Sequence, residues 1–344
     1  MARGTSLLAF ILTRLLIAVP MLLLLLTFVF VILRILPGDP VLALWGGRNP
    51  PPEVVDSARR QLGLDQPAFP NQYVSYMRNI FTGNWGTSFG EFYRGQSVWA
   101  VMMEKFPATV ELALGAMIVA TLLGVGTGLI GGANRDKWID VAARLYGTIV
   151  WVTPIFWLGL ILQLIFGVWL RWLPPHSRWD GSDFPIRVTG MYTVDSLLEG
   201  SPAKFLKAFS HLILPSLTLG IVLSGFFTKT VRANLLRTIT ADYTEAARAR
   251  GVREARVVYR HAFKNALVPV VTILGLQFAI LFGGAVLTET TFSWDGMGRL
   301  LYDSINSKDY MMIQGVIVFY ATIIIVISLV IDVSGALIDP RIRL

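Results

Sequence analysis

The stretch Ala241–Val271 reads ADYTEAARARGVREARVVYRHAFKNALVPVV. From Ala241 to Arg250 it is dominated by Ala, Glu and Arg, which are good helix formers. Gly251 then offers a stop, because glycine accepts the left-handed backbone of a helix C-terminus. Val252–Phe263 reads as a second helix that leads into an apolar run. Helix, glycine turn and helix make a short elbow. Two bare helices cannot bury their faces alone, so the elbow needs a partner surface.

The surrounding chain explains where such an elbow can stand. Of 344 residues, 54% are hydrophobic and 15% charged, and the mean hydropathy is +0.60. Soluble domains carry roughly 25% charged residues, so this chain needs lipid as solvent. Six uncharged runs stand out: Leu15–Leu33, Leu112–Asn134, Leu145–Leu170, Ala208–Thr228, Asn265–Thr288 and Tyr310–Ile331. A helix needs about 20 residues to cross the hydrocarbon core, and it satisfies its own backbone there. The sequence therefore predicts an all-α membrane protein with six transmembrane helices. The first run exceeds a signal peptide's apolar region and lacks a small-residue cleavage site, so it reads as an anchor.

Basic residues set the orientation. With the N-terminus in the cytoplasm, the inside segments hold sixteen Lys/Arg against seven acids, and the outside segments hold fourteen of each. The whole basic excess then lies on one side, as the positive-inside rule expects. This places both termini and the connection 229–264 in the cytoplasm. The net charge of +8 reflects that orientation and does not call for nucleic acid. The expected organisation is an N-terminus and first span over 1–34, an extracytoplasmic lobe over 35–106 and a membrane core over 107–344, its second span starting near 107.

Other features are less specific. Gly124, Gly126, Gly128, Gly131 and Gly132 crowd the second span and suit close helix packing. Pro154, Pro215 and Pro269 are expected to bend later spans. After Pro51 and Pro52, EVVDSARRQLG reads as a short helix stopped at Gly63. Arg171–Lys207 reads as loop-rich. Trp85, Trp99 and Trp294 read as interface anchors. Glu111 is the acid inside an apolar span; it fits either a substrate's amino terminus on a pathway or a carboxylate facing water at the interface. Asp332 reads as a packing charge and His211 as an interfacial histidine. Without cysteine, and with His176, His211 and His261 far apart, no metal site is expected and an intramembrane hydrolase lacks its chemistry. An ion-coupled carrier would place ionisable groups near mid-membrane, where these spans have none.

Charge alone leaves two readings of the elbow: a basic loop that sets topology and touches anionic lipid, or a docking device. The residue order favours the second. Glu245-Ala246-Ala247, three residues and Gly251 resemble the E-A-A-x-x-x-G signature of permeases in ATP-binding-cassette importers. RHAFKNALVPVV at Arg260–Val271 departs from the commonest continuation and resembles the branch importing dipeptides, oligopeptides and nickel complexes. ILPGDP (Ile35–Pro40), LGLDQP (Leu62–Pro67), GTSF (Gly86–Phe89), FPATVELAL (Phe106–Leu114), FWLGLIL (Phe156–Leu162), HLILPSLTLG (His211–Gly220), TETTFSWDGMGRLL (Thr288–Leu301) and DPRIR (Asp339–Arg343) are similar to the B-type subunit of that branch. The resemblance does not reach the longer Arg178–Lys207 segment.

The resemblance implies a type I importer permease fold with a small lobe after the first span. It implies a second homologous permease, two ATPase subunits using ATP and Mg²⁺, and an extracytoplasmic binding protein. This chain itself has no G-x-x-x-x-G-K-[ST] phosphate loop, and no cofactor is expected on it. By resemblance, Glu245 fixes the elbow in an ATPase cleft, Ala246 and Ala247 allow close approach, and Gly251 sets the angle. Asp242, Arg248 and Arg250 are expected to supply surrounding contacts. Peptides are the expected cargo; oligosaccharides and chelated nickel are the alternatives within the family.

Overall fold

The computed structural model describes residues 7–35, 51–61 and 64–338. Most of ILPGDP, the start of LGLDQP and all of DPRIR lie outside the described residues, as does the expected stop at Gly63. The regular elements among the described residues are helices, with an isolated antiparallel bridge between Thr87 and Ser97. They fall into two compact units. One draws on Met1–Pro107 and Asp295–Leu329, the other on Ala108–Trp294 and Val330–Ile342.

The first unit contains α1 (Leu7–Ile35), α2 (Pro52–Gln61), α3 (Tyr73–Phe81), α12 (Met297–Asn306) and most of α13 (Tyr310–Ile338). The expected short helix after Pro51 is α2, with Pro52 at its first position. Leu26, Phe30, Tyr76, Ile313 and Val318 form the core of the unit. The Phe30 ring lies 5.3 Å from that of Tyr73, and Thr27 shares a 2.8 Å hydrogen bond with the Tyr73 hydroxyl. Asp309 starts α13: its carboxylate accepts from the Met312 and Gly90 N–H groups at 3.2 and 2.9 Å. The opposite face of α1 is bare, with Leu16, Leu24 and Phe28 largely exposed, as a lipid-solvated helix requires.

The second unit is built around α8 (Pro202–Ile239). Ser201 caps its N-terminus by accepting from the Lys204 N–H, and Pro202 follows at the first turn. The expected fourth run, Ala208–Thr228, is the middle of this longer helix, so the first part of the connection 229–264 is helical continuation. α4 (Val98–Ala133) passes α8 at very short range. A Cβ on Gly124, Gly128 or Gly132 would come within 2.5–2.8 Å of Phe227, Thr228, Val231 or Leu235, whereas Gly126 faces open space. Spaced by four, the three close glycines share one helix face and form the packing seam. Thr127 and Thr228 share a 2.6 Å hydrogen bond across it.

The third expected run is corrected. α5 (Trp138–Val152) starts before Leu145, and the chain bends by 100° before α6 (Ile155–Leu162) and its π-helical continuation Gln163–Trp169. Thr153 is extended (ψ 126°), as the residue before proline prefers, and so is Pro154 (ψ 128°). The earlier start is possible because Asp140, fully buried, takes a bidentate pair from Arg232 of α8. Pro215 and Pro269, by contrast, lie inside continuous helices, α8 and α11 (Phe263–Thr291).

Among the described residues, α1, α4, α8 and α13 are each long and apolar enough to cross a membrane, and the bent α5–α6 pair makes a fifth candidate. The expected fifth run, Asn265–Thr288, coincides with α11. Trp294 differs from its expected role as an interface anchor. It is buried in the second unit's core with its indole N–H donated to the Ala108 carbonyl at 2.9 Å.

Candidate functional site

The elbow consists of α9 (Asp242–Ala249), a turn at Gly251, and α10 (Glu254–Arg256), which runs through the π-helical turn Val257–Ala262 into α11. Gly251 has φ +74°. Its N–H reaches the Arg248 carbonyl at 2.9 Å, and the Val252 N–H reaches the Ala247 carbonyl at 3.2 Å. These two bonds are the Schellman pattern that closes a helix at a left-handed residue. A Cβ at 251 would meet nothing within 4 Å, so glycine is required by backbone conformation and not by crowding.

The faces of α9 divide sharply. Thr244 and Ala247 are buried against the elbow's own chain, while Asp242, Tyr243, Glu245, Ala246, Ala249 and Arg250 are exposed. Asp242 and Glu245 make no side-chain hydrogen bond among the described residues, though the Glu245 charge is felt by Arg248, and Arg250 bonds to the Ala246 carbonyl at 3.1 Å. The outward face therefore offers two unspent carboxylates beside methyl-sized side chains. Two residues of the expected contact set also have partners within the chain. Ala247 is small because α9 packs on 257–262. Arg248 is spent internally, donating to the Ile239 carbonyl at 3.0 Å and bidentately to Glu254 at 3.0 and 2.8 Å. The Arg248 bond holds the Glu254 carboxyl below its ordinary range.

Far from the elbow in the same unit lies the segment between α6 and α8. It was expected to be loop-rich, and it contains α7 (Tyr192–Leu198) within a dense polar network. Glu111 of α4 is 4% exposed. One carboxylate oxygen accepts from Arg178 at 3.1 and 2.6 Å, the other from the Thr193 N–H and hydroxyl at 2.7 and 2.6 Å. The Arg178 guanidinium also reaches the Gly190 carbonyl at 2.6 Å and lies 3.8 Å from the centre of the Tyr192 ring. Asp195 accepts from the Thr189 and Gly190 N–H groups and the Thr189 hydroxyl. Burial pushes this carboxyl up, but those donors outweigh it and hold it below the ordinary range. His211 is buried, with Nδ1 3.0 Å from the Ser177 carbonyl and Nε2 3.3 Å from Asp180. Glu111 also borders an apolar cavity of about 460 Å³ lined by Leu114, Ile118, Phe209, Leu212 and Ser216.

Sequence reading missed Glu289, placed just outside the fifth run. It is fully buried near the end of α11 and accepts from the Thr109 hydroxyl at 2.6 Å. The signal was available in part: Thr109 and Glu289 both sit in the quoted family motifs, but nothing in spacing pairs residues 180 apart. Among the described residues, no three metal-ligating side chains converge.

The family described as binding-protein-dependent transport system inner membrane component matches residues 120–344, including the elbow. Its N-terminal counterpart matches residues 7–113. The chain belongs to this family. It is thus a multi-pass inner-membrane permease subunit, without catalytic chemistry of its own. The di/tripeptide transport system permease protein DppB of Pseudomonas aeruginosa is 40% identical over 314 residues, 91% of this chain and 92% of that protein. The dipeptide transport system permease proteins DppB of Alkalihalophilus pseudofirmus and Escherichia coli K12 are 37% and 36% identical, each over 98% of this chain and 99% of the relative.

Proposed function

We propose that this permease forms one half of an ATP-driven import pathway for di- and tripeptides, and that α9 is the handle through which the motor moves it. The peptide assignment is supported by the named activities of the relatives, which match nearly end to end. The coupling assignment is carried by one observation: the outward face of α9, with Glu245, Asp242 and Ala246 exposed and their side chains making no hydrogen bond among the described residues, ends at a glycine-closed turn.

In this reading six spans cross the membrane, with α11 as the fifth, and both termini and the elbow are cytoplasmic. The core over 107–344 carries the pathway, and the lobe over 35–106 lies outside. A second homologous permease completes the channel. Two ATPase subunits bind ATP and Mg²⁺, and an extracytoplasmic binding protein delivers the peptide. Glu245 fixes α9 in the ATPase cleft by an ion pair or hydrogen bond, Ala246 permits close approach, and Asp242 and Arg250 flank the contact. Glu111 anchors the segment over the core, since both its oxygens are already engaged.

The test is uptake of a labelled dipeptide into proteoliposomes holding the complete transporter and its binding protein. Uptake should need ATP, fail on a proton gradient alone and be lost in Glu245→Lys with assembly intact. Unchanged transport in that variant removes the coupling role. Uptake of sugars in place of peptides removes the substrate assignment.

A further inference from the structure

We infer that Thr244 and Arg248 are positioning residues that join α9 to the end of α8, so that displacement of α9 is delivered to α8 through its C-terminal carbonyls. The inference rests on the coupling role proposed above and names the mechanical connection behind it.

The last carbonyls of a helix have no intrahelical donor. If the elbow were a loose hinge, water would satisfy those of α8. Instead the Thr244 hydroxyl, completely buried, lies 3.1 and 2.9 Å from the carbonyls of Thr238 and Ile239 at the end of α8, and 2.5 Å from that of Ala241, the residue before α9. Arg248 stands four residues further along α9, on the same face, and donates Nη1 to the Ile239 carbonyl at 3.0 Å. Its positive charge lies beside the negative end of the α8 dipole.

The rest of the guanidinium is held by Glu254 at the start of α10, with Nε and Nη2 each facing one carboxylate oxygen. A planar fork can serve a carbonyl and a carboxylate at once, which a lysine ammonium cannot do with the same geometry. α9 is thereby fastened near one end by Thr244 and near the other by Arg248, and Arg248 also reaches the strut that leads into α11. The buried face transmits and the exposed face receives. This division explains why Thr244 and Ala247 are covered while Glu245 and Ala246, their chain neighbours, are open.

The test uses the complete transporter in proteoliposomes with its binding protein, measuring ATP hydrolysis, peptide uptake and retention of the ATPase subunits separately. Thr244→Val and Arg248→Lys should keep the ATPase subunits bound yet lower uptake per ATP about tenfold, the scale of a lost hydrogen bond to a buried or charged group. Thr244→Ser, which keeps the hydroxyl, should behave as the parent. Should Thr244→Val fail to insert, the partly exposed Arg248→Lys still decides the matter. An unchanged uptake-to-ATP ratio overturns the inference. So does release of the ATPase subunits, which would make these residues interface contacts. Glu245→Lys run in parallel separates the levels: if it uncouples while Thr244→Val and Arg248→Lys do not, this inference alone fails; if it too has no effect, the coupling reading fails with it.

Discussion

Glu111 and Glu245 are both carboxylates of the second unit, and the fold treats them in opposite ways. Around Glu111 every charge is spent: Arg178, Thr193 and the Gly190 carbonyl close the group, and Asp195 beside it is saturated by backbone donors. At the elbow the fold spends its charge on one face of α9, where Arg248 is consumed, and leaves Glu245 and Asp242 open on the other. A saturated network holds a segment in place. An unsaturated, rigidly backed face invites a partner.

The largest effect that would break this contrast is at Arg178. Arg178→Met leaves the Glu111 carboxylate buried and uncompensated, which should destabilise the second unit by about 3–5 kcal/mol. Protease resistance of the 171–201 segment reports it, and adding Glu111→Leu should restore much of the loss. A neutral single variant would mean that the network is not what holds the segment.

Next comes the seam connecting the two regions. Gly128→Ala should cost about 1–3 kcal/mol by overpacking, because the new Cβ would meet the Thr228 carbonyl and Val231 at 2.8 Å. Gly126→Ala, on the open side of α4, should gain up to about 1 kcal/mol from helix propensity. Thermal unfolding in detergent distinguishes the pair.

Gly251→Val should strain the turn by about 1–3 kcal/mol and abolish coupled transport while the complex assembles. Gly251→Asn, more tolerant of positive φ, should retain part of the activity.

Acid should loosen the saturated region first. The Asp195 carboxyl lies below its ordinary range in the folded protein. Its contribution is therefore complete above the unfolded value near ~3.9 and is lost as pH falls through the lower folded value. Hydrogen exchange at Thr189 and Gly190 should accelerate there, and Asp195→Asn should remove the pH dependence.

The smallest expected stability effect is at Glu245→Gln, within about 0.5 kcal/mol as for an isolated surface group. A large loss of stability would show that Glu245 belongs to the fold and would erase the contrast. Its effect on transport should far exceed its effect on unfolding.

Much of the elbow was legible because its signals are local. Helix formers followed by glycine specify α9 and its stop within a dozen residues, and the chain forms that turn from its own backbone. The glycine seam was legible as a tendency to pack closely, but not as Gly124, Gly128 and Gly132 against α8 with Gly126 left open. The contacts that Ala247 and Arg248 make within the chain were not legible for the same reason: their neighbours in sequence do not say which face of α9 turns inward. Glu289, Asp140 and Trp294 find their partners, Thr109, Arg232 and Ala108, on other helices, which no local signal specifies.

The sequence by itself determined where the apolar runs lie, how basic residues are distributed among the segments between them, and the position of the glycine turn. Each follows from composition or from interactions within a few residues. Only the tertiary structure decided which charges are consumed and which stay open. A carboxylate's partner is set by helices that meet in space, and Glu111 finds its guanidinium 67 residues away. Desolvation then makes that meeting obligatory in one place, and solvent exposure leaves it optional in the other.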